Sequence, residues 1–484
     1  MGPVQKIRER LPEGSFIKNV LTLMTGTVFA QALLILLAPI LTRLYDPEAF
    51  GVFALYTSIV GFFSVIACLR YECAIVLPEK DEDAANLLSL SLLICLVGGV
   101  IAFILMALWR QNIAELLGSP PLTFWLWFLP LSIIVAGGFQ AFNYWSTRRK
   151  QFKRLALRQV TNSTVMLFTQ IGTGAIGQPG AGGLISGHII GQLAATGRLA
   201  GQIFREEGRE ILSSINRKSM GQMLSRYRRF PLYDSWSGLL NTASALVPAL
   251  ILAYFFNPVI VGFYALGQRV LALPMGVIGN AVAQAFFPRA AEAGRTGDLN
   301  RVTLDMFRGL LSLGVVPIFL IAMVAPQLFA LVFGNEWYTA GEYVRWLSMW
   351  SLFKFISSPI STLYFVLERQ SALLFFNIAL LLTGLIALVV GGTQGDALLT
   401  IQLFGISGVI MYAYFSLRIM TMSGNGMKKT LMVFIKAIAA AIPYITPLLA
   451  YMILVGDPKI SVIIAIVTGM VFCGIKARTL TRQN

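Results

Sequence analysis

Polar positions are sparse along this chain and come in short bursts. Between them lie apolar runs of about 20 residues or more, the length a helix needs to cross a roughly 30 Å hydrocarbon core with its backbone groups paired internally. Hydropathy and Pro/Gly breaks predict about fourteen spans, near 20–43, 48–70, 84–109, 121–142, 158–177, 182–203, 231–255, 258–287, 308–333, 342–366, 371–390, 398–420, 430–454 and 459–476. One burst, Arg43 to Glu48 within "LTRLYDPEAFGVFALYTSIVG", interrupts an apolar run and hands it back at once. The predicted fold class is an all-α polytopic membrane protein.

A pattern inside the chain divides it. "DPEAFGVFAL" (46–55) aligns with "NPVIVGFYAL" (257–266), pairing Pro47 with Pro258, Gly51 with Gly262, Ala54 with Ala265 and Leu55 with Leu266. Pro suits the first turn of a helix, where no N–H is needed, and Asp46 or Asn257 before it is an expected N-cap. A fainter echo pairs "LLGSPPLTFWLWFLPLS" (116–132) with "VFGNEWYTAGEYVRWLS" (332–348). The expected organisation is two pseudo-symmetric six-helix lobes, 20–204 and 231–420, joined by a basic cytosolic linker at 205–230. A cytosolic N-terminus (1–19) precedes them, and two extra C-terminal helices with a cytosolic tail (421–484) follow.

Composition and charge agree. Of 484 residues 56% are hydrophobic and 12% charged, with mean hydropathy +0.73, against about 25% charged in an average soluble domain. A net charge of +16 would point to nucleic acid in a soluble protein, but here the cations sort by loop. Outside the spans, only Arg43, Arg110 and Lys459 fall on the side opposite the N-terminus, which is the positive-inside pattern with both termini cytosolic. The first span follows basic residues (Lys6, Arg8, Arg10, Lys18) and reads as a retained signal anchor. The richest basic stretches, "STRRKQFKRLALR" (146–158) and "REEGREILSSINRKSMGQMLSRYRRF" (205–230), read as topology determinants on anionic headgroups. Recruitment of a cytosolic partner or an anionic lipid is the other reading. No nucleic-acid partner is expected.

Catalytic chemistry has little to draw on. There is no Walker A sequence, no HExxH and no Gly-x-Ser-x-Gly; His188 is the single histidine, and Cys68, Cys73, Cys95 and Cys473 lack metal-ligand spacing. No metal and no cofactor are expected, and no loop is long enough for a folded soluble domain. A two-lobed helical bundle of this kind reads as a transporter rather than an enzyme.

The run "GTVFAQALLILLAPILTRLYDPEAFGVFALYTSIVGFFSVIACLRYECAIVLPEKDEDAANLL" (26–88), with "NPVIVGFYALGQRVLALPMGVIGNAVAQAFFPRAAEAG" (257–294) and the 332–348 segment, resembles bacterial polysaccharide biosynthesis proteins of the Wzx type. These are oligosaccharide-lipid flippases of the multidrug/oligosaccharidyl-lipid/polysaccharide exporter superfamily. The resemblance implies a cavity between lobes lined chiefly by helices 1, 2, 7 and 8. It also implies transfer of an undecaprenyl-pyrophosphate-linked O-antigen or exopolysaccharide unit to the periplasmic leaflet of the inner membrane. The implied partners are the lipid-linked glycan, the membrane and other polysaccharide-assembly proteins, with the protein a monomer. A multidrug exporter of the same superfamily, a glycan polymerase or ligase and a non-transporting scaffold are the competing readings.

The candidate substrate-binding residues are Arg269, Lys354, Gln31, Asn241 and Arg70. Arg269 is central in span eight, where an Arg costs about 2.5 to 3.5 kcal/mol on insertion scales. It reads as a cavity cation for pyrophosphate or as half of an internal ion pair, and its repeat counterpart is Ser58. Pro274 beyond it is expected to kink the helix. Lys354 is mid-span in helix ten and could snorkel, pair with an acid or meet substrate. Arg345 reads as an interfacial anchor. Gln31 and Asn241 could bond sugar hydroxyls or glue helices. Arg43, Asp46, Glu72 and Asp234 are the gating candidates. Arg43 and Asp46 could pair at the interface, and Arg70 and Glu72 could form a local salt bridge. Asp234 could cap helix seven or face Arg70 across the lobes. His188, in a Gly-rich helix, reads as a packing histidine. Coupling to protons or sodium stays open, because no carboxylate lies deep in a span.

Overall fold

The computed structural model describes residues 16–177, 180–274 and 279–483; these are helical almost throughout, with no strand among them. The chain divides into two compact units, residues 1–261 and 262–484.

The first unit begins with α1 (Phe16–Leu36) and α2 (Ala38–Leu44), separated at Leu37, with Pro39 in the first turn of α2. After the turn come α3 (Pro47–Ser64), a 3-10 segment (Tyr71–Val76) and the 36-residue α4 (Asp81–Leu116). Then follow α5 (Leu129–Arg148), α6 (Phe152–Ala175), α7 (Ala181–Ser214), α8 (Arg217–Arg226) and α9 (Ser235–Phe255). Helix α10 (Pro258–Pro274) starts in the first unit and runs into the second. The second unit continues with α11 (Asn280–Thr296), α12 (Leu299–Phe333), α13 (Tyr338–Ile360), α14 (Gln370–Thr393), α15 (Ala397–Met422), α16 (Met427–Leu454) and α17 (Pro458–Gln483).

The two matched turns are built alike. Asp46 Oδ1 accepts the Ala49 N–H at 2.7 Å as Pro47 opens α3, and Asn257 Oδ1 accepts the Ile260 N–H at 3.1 Å as Pro258 opens α10. Each cap satisfies a donor that the helix cannot, worth about 1 kcal/mol. Gly51 allows a close approach: a Cβ there would lie 1.7 Å from the Pro258 carbonyl oxygen.

Small residues set the packing of α6 against α7, as expected for the Gly-rich segment. A Cβ on Gly187 would strike Gln170, and one on Gly191 would strike Met166 and the Asn162 carbonyl. In lipid the drive to such contact is close van der Waals packing rather than water exclusion. The Tyr45 hydroxyl locks the turn onto this pair by donating to the Gln170 carbonyl at 2.6 Å. In the second unit, Pro326 inside α12 leaves the Ala322 carbonyl without its helical N–H. Arg345 donates to that oxygen at 3.3 Å, so it repairs a proline break.

Ten helices or joined segments among the described residues are long and apolar enough to span a membrane, fewer than the fourteen expected. Of the four expected spans outside that set, 158–177, 182–203 and 342–366 are mostly helical but richer in polar residues, and the described part of 258–287 opens with an apolar helix too short to qualify. They carry Arg158, His188, Arg269 and Lys354. The 205–230 segment differs from a loop: α7 continues to Ser214 and α8 covers most of the rest. Its helix is sustained because Glu206, Glu207 and Glu210 on α7 meet the arginines of the other basic stretch. Arg149 bonds Glu207 and Glu210, Arg154 bonds Glu206 at 2.5 Å and Glu207 at 2.7 Å, and Arg148 bonds Asp81 at 2.7 Å. Acids of the second basic stretch, with Asp81, thus neutralise three arginines of the first. The kink expected at Pro274 falls against residues 275–278, and Lys6, Arg8 and Arg10 fall before residue 16; both lie outside the described residues.

Candidate functional site

Three of the expected site residues, Arg70, Glu72 and Asp234, meet where α3 ends. After Ser64 the chain turns through Leu69 and Arg70, both in the left-handed region at φ 48° and 63°. Neither is glycine, and a non-glycine residue held there costs on the order of 1 kcal/mol or more. The turn swings the Arg70 side chain toward the start of α9. Its Nε donates to Asp234 Oδ2 at 2.8 Å, and its Nη1 lies 3.8 Å from Glu72 Oε1. Gly238, one turn into α9, leaves room beside the guanidinium: a Cβ would sit 3.7 Å from Arg70 Nε.

The three charges are unequally placed. Arg70 is 24% exposed and Asp234 43%, so their bond is screened and worth about 1 kcal/mol or less. Glu72 is fully buried, and its Oε2 has no partner. Burial pushes its carboxyl up to about 7, with the Arg70 charge opposing and the Asp234 charge assisting. The Cys73 thiol bridges Glu72 Oε1 and the Tyr144 hydroxyl, at 3.9 and 3.3 Å. A weak ion pair beside a carboxyl held near neutrality can be made and broken at low cost, as a reversible contact requires.

The other candidates stand apart. Gln31 on α1 is half-buried and Asn241 on α9 is exposed. Arg43 and Asp46 are both exposed and form no ion pair with each other; the expected pairing fails because the Asp46 carboxylate is taken up as the α3 cap. Arg269 is half-buried on α10, with no carboxylate partner among the described residues. Lys354 is exposed on α13, its Nζ 5.8 Å from the centre of the Trp350 ring, and it too has no acid beside it among the described residues. His188 bonds Gln192 at 2.9 Å and meets the edge of Phe53, as a packing histidine does. Arg158, read by sequence at the junction of a basic stretch and span five, lies on α6 with its guanidinium 3.4 Å over the Phe139 ring. Its signal was the absence of any helix breaker between Phe152 and Arg158, which brings it inside the helix.

Residues 40–342 match the model of the family described as polysaccharide biosynthesis protein. The chain belongs to that family. The match takes in both capped turns, the Arg70–Asp234 pair, Arg158 and Arg269, and it stops short of Lys354. Among curated proteins, this polysaccharide biosynthesis protein is 21% identical over 377 residues to the lipopolysaccharide biosynthesis protein WzxC of Escherichia coli strain K12, covering 77% of the chain and 74% of the relative. It is 23% identical over 354 residues to the succinoglycan biosynthesis transport protein ExoT of Rhizobium meliloti strain 1021, covering 70% and 66%. Its fold is like that of the lipid II flippase MurJ in an inward closed conformation, with TM-score 0.71 and 13% identity over 95% of this chain and 99% of that one. An inward-facing multidrug resistance transporter of the MATE family gives TM-score 0.63 and 15% identity over 81% and 96%. Family, helices and fold together make this a multi-pass membrane protein of polysaccharide biosynthesis.

Proposed function

We propose that the protein is a flippase that moves an undecaprenyl-pyrophosphate-linked oligosaccharide from the cytosolic to the periplasmic leaflet of a bacterial inner membrane by alternating access. The observation that carries this reading is the charge of the membrane interior. Every Asp and Glu lies in a loop or near a span end, while Arg269 and Lys354 lie within spans and have no acidic partner among the described residues. A cation left uncompensated in a bundle is costly, and an anionic cargo is the partner that offsets that cost. A multidrug exporter for cationic compounds would need the opposite sign.

The gating roles follow from the proposed lobes, 20–204 and 231–420, with 421–484 as accessory helices and both termini cytosolic. On that division α3 closes against α9 and the start of α10. Arg70, Glu72 and Asp234 form a cytosolic clasp, and Gly51 against the Pro258 carbonyl forms the periplasmic counterpart. Arg269 holds the pyrophosphate, Lys354 a further anionic group, and Gln31 and Asn241 bond sugar hydroxyls. Arg43 borders the periplasmic opening. No cofactor takes part, and the paired groups at Glu72 offer a place for proton coupling.

The test is a null strain in which lipid-linked repeat units are followed by leaflet. Loss of the protein is expected to leave them on the cytosolic side, with surface polysaccharide absent. Arg269→Ala should reproduce that loss, and Arg269→Lys should restore part of the export. Drug sensitivity with normal glycan in the null strain would reverse the reading in favour of a multidrug exporter.

A further inference from the structure

A buried cation in the first unit, too, has no acid beside it among the described residues. Arg158 is only 8% exposed, yet among the described residues it forms no ion pair; its sole polar partner is Gln159 Oε1, at 3.5 Å, and its Nε has none. Four helices converge on it. Its guanidinium lies over Phe139 on α5, the neighbouring α7 brings His188 within its electrostatic reach, and Phe53 on α3 packs on that histidine. Phe139 is midway along α5, so the guanidinium sits roughly 15 Å of helix rise from either end. It is therefore set inside the first unit, one turn beyond the Arg154–Glu206–Glu207 ion pairs.

One turn on from Arg158, Asn162 Oδ1 is also buried and unbonded, and on α7 Gln192 Oε1 is likewise unbonded while its amide serves His188. Buried polar atoms are normally satisfied, so this group of orphans marks a place where something polar arrives. A buried charge without a partner is destabilising by several kcal/mol. The Phe139 face covers one side of the guanidinium and holds it in position, while the buried Nε donor is left without an acceptor.

We propose that Arg158 is an oxyanion-binding residue within the first unit, taking a phosphate or carboxylate oxygen of the translocated molecule. Two sources share this chemistry: the pyrophosphate of the lipid carrier and the carboxylate of an acidic sugar. The assignment rests on the flippase reading for the identity of the cargo, but binding itself is measurable apart from transport.

The test uses the purified full chain in detergent, followed by intrinsic tryptophan fluorescence on heating. Inorganic pyrophosphate, glucuronate and, as a neutral control, glucose are titrated in turn. In the wild type, pyrophosphate or glucuronate is expected to raise the melting midpoint and glucose to leave it unchanged. Arg158→Met should melt at or above the wild-type midpoint without anion, since it removes an uncompensated charge, and should weaken the anion response at least tenfold. Arg158→Lys should keep a reduced response. A response to pyrophosphate alone assigns the carrier headgroup, and one to glucuronate alone the sugar acid; a response to both supports a general oxyanion site. The proposal is overturned if neither anion acts on the wild type, if Arg158→Met responds as the wild type does, or if Arg158→Met melts well below it or fails to fold. The flippase reading is judged separately, by the leaflet position of repeat units in cells.

Discussion

Arg154 and Arg158 stand one turn apart on α6, almost equally buried at 7% and 8% exposure, and their surroundings are opposite. Arg154 bonds Glu206 and Glu207 and belongs to the network that also holds Arg149, Asp81 and Trp145, whose indole N–H donates to Glu207 at 2.8 Å. Arg158 has an aromatic face and a weak amide contact. In the first the charge is neutralised within the chain, although Arg154 Nη1 makes no hydrogen bond. In the second no acid meets the charge among the described residues. Burial and charge alone therefore do not separate a structural arginine from a binding one; the presence of a carboxylate does. By the same criterion Arg148 and Arg149 join Arg154, whereas Arg269 joins Arg158.

The contrast can be broken most directly at Arg154. Arg154→Met takes one of two arginines from the mostly buried Glu207 carboxylate, which keeps Arg149 and Trp145, so a loss of up to about 3 kcal/mol is expected in denaturation of the purified protein. If that loss does not appear while Arg158→Met is destabilising, the two residues have been assigned the wrong way round.

Glu72 extends the comparison to an acid. Its proton is held more tightly in the folded state than in the unfolded chain, because burial raises its carboxyl from 4.5 to about 7. Its contribution therefore favours folding most below about pH 4.5, declines as pH rises toward 7 and is flat above. Glu72→Gln should remove that slope and gain up to roughly 3 kcal/mol at pH 8 relative to the wild type. Unfolding midpoints measured from pH 4 to 8 would check it, and parallel slopes for the two proteins would place the charge in a better-solvated setting than the geometry shows.

The smallest effect is expected at the caps, which serve as the local control. Asp46→Ala should cost about 1 kcal/mol in unfolding free energy, and Asn257→Ala a comparable amount. A much larger loss at Asp46 would give it a partner beyond the Ala49 N–H.

Much of the fold was legible because it is local. The Asp46-Pro47 and Asn257-Pro258 turns need only three or four consecutive residues to form a cap, and the repeat that predicts them is visible as letters. The Gly spacing of α7 likewise announced close packing, though not that Gln170 and Met166 would fill the space. Part of the site was legible as a candidate list. That Arg70 meets Asp234, 164 positions away, was one of two readings open for Asp234, and the choice between them lay outside the local sequence. The Arg43–Asp46 pairing was the converse error, since neighbours in sequence were not partners in space.

By itself, then, the sequence determined the membrane class, the helical form, the matched turns and the shortage of acids within the spans. Each of these depends on residue type and short-range order, which the bilayer and the backbone enforce directly. Tertiary structure alone decided which charges are neutralised: it gave Arg154 two glutamates and left Arg158 none, one turn away on the same helix. Partnership between charges falls off over a few ångströms, and only the packing of distant helices sets those distances.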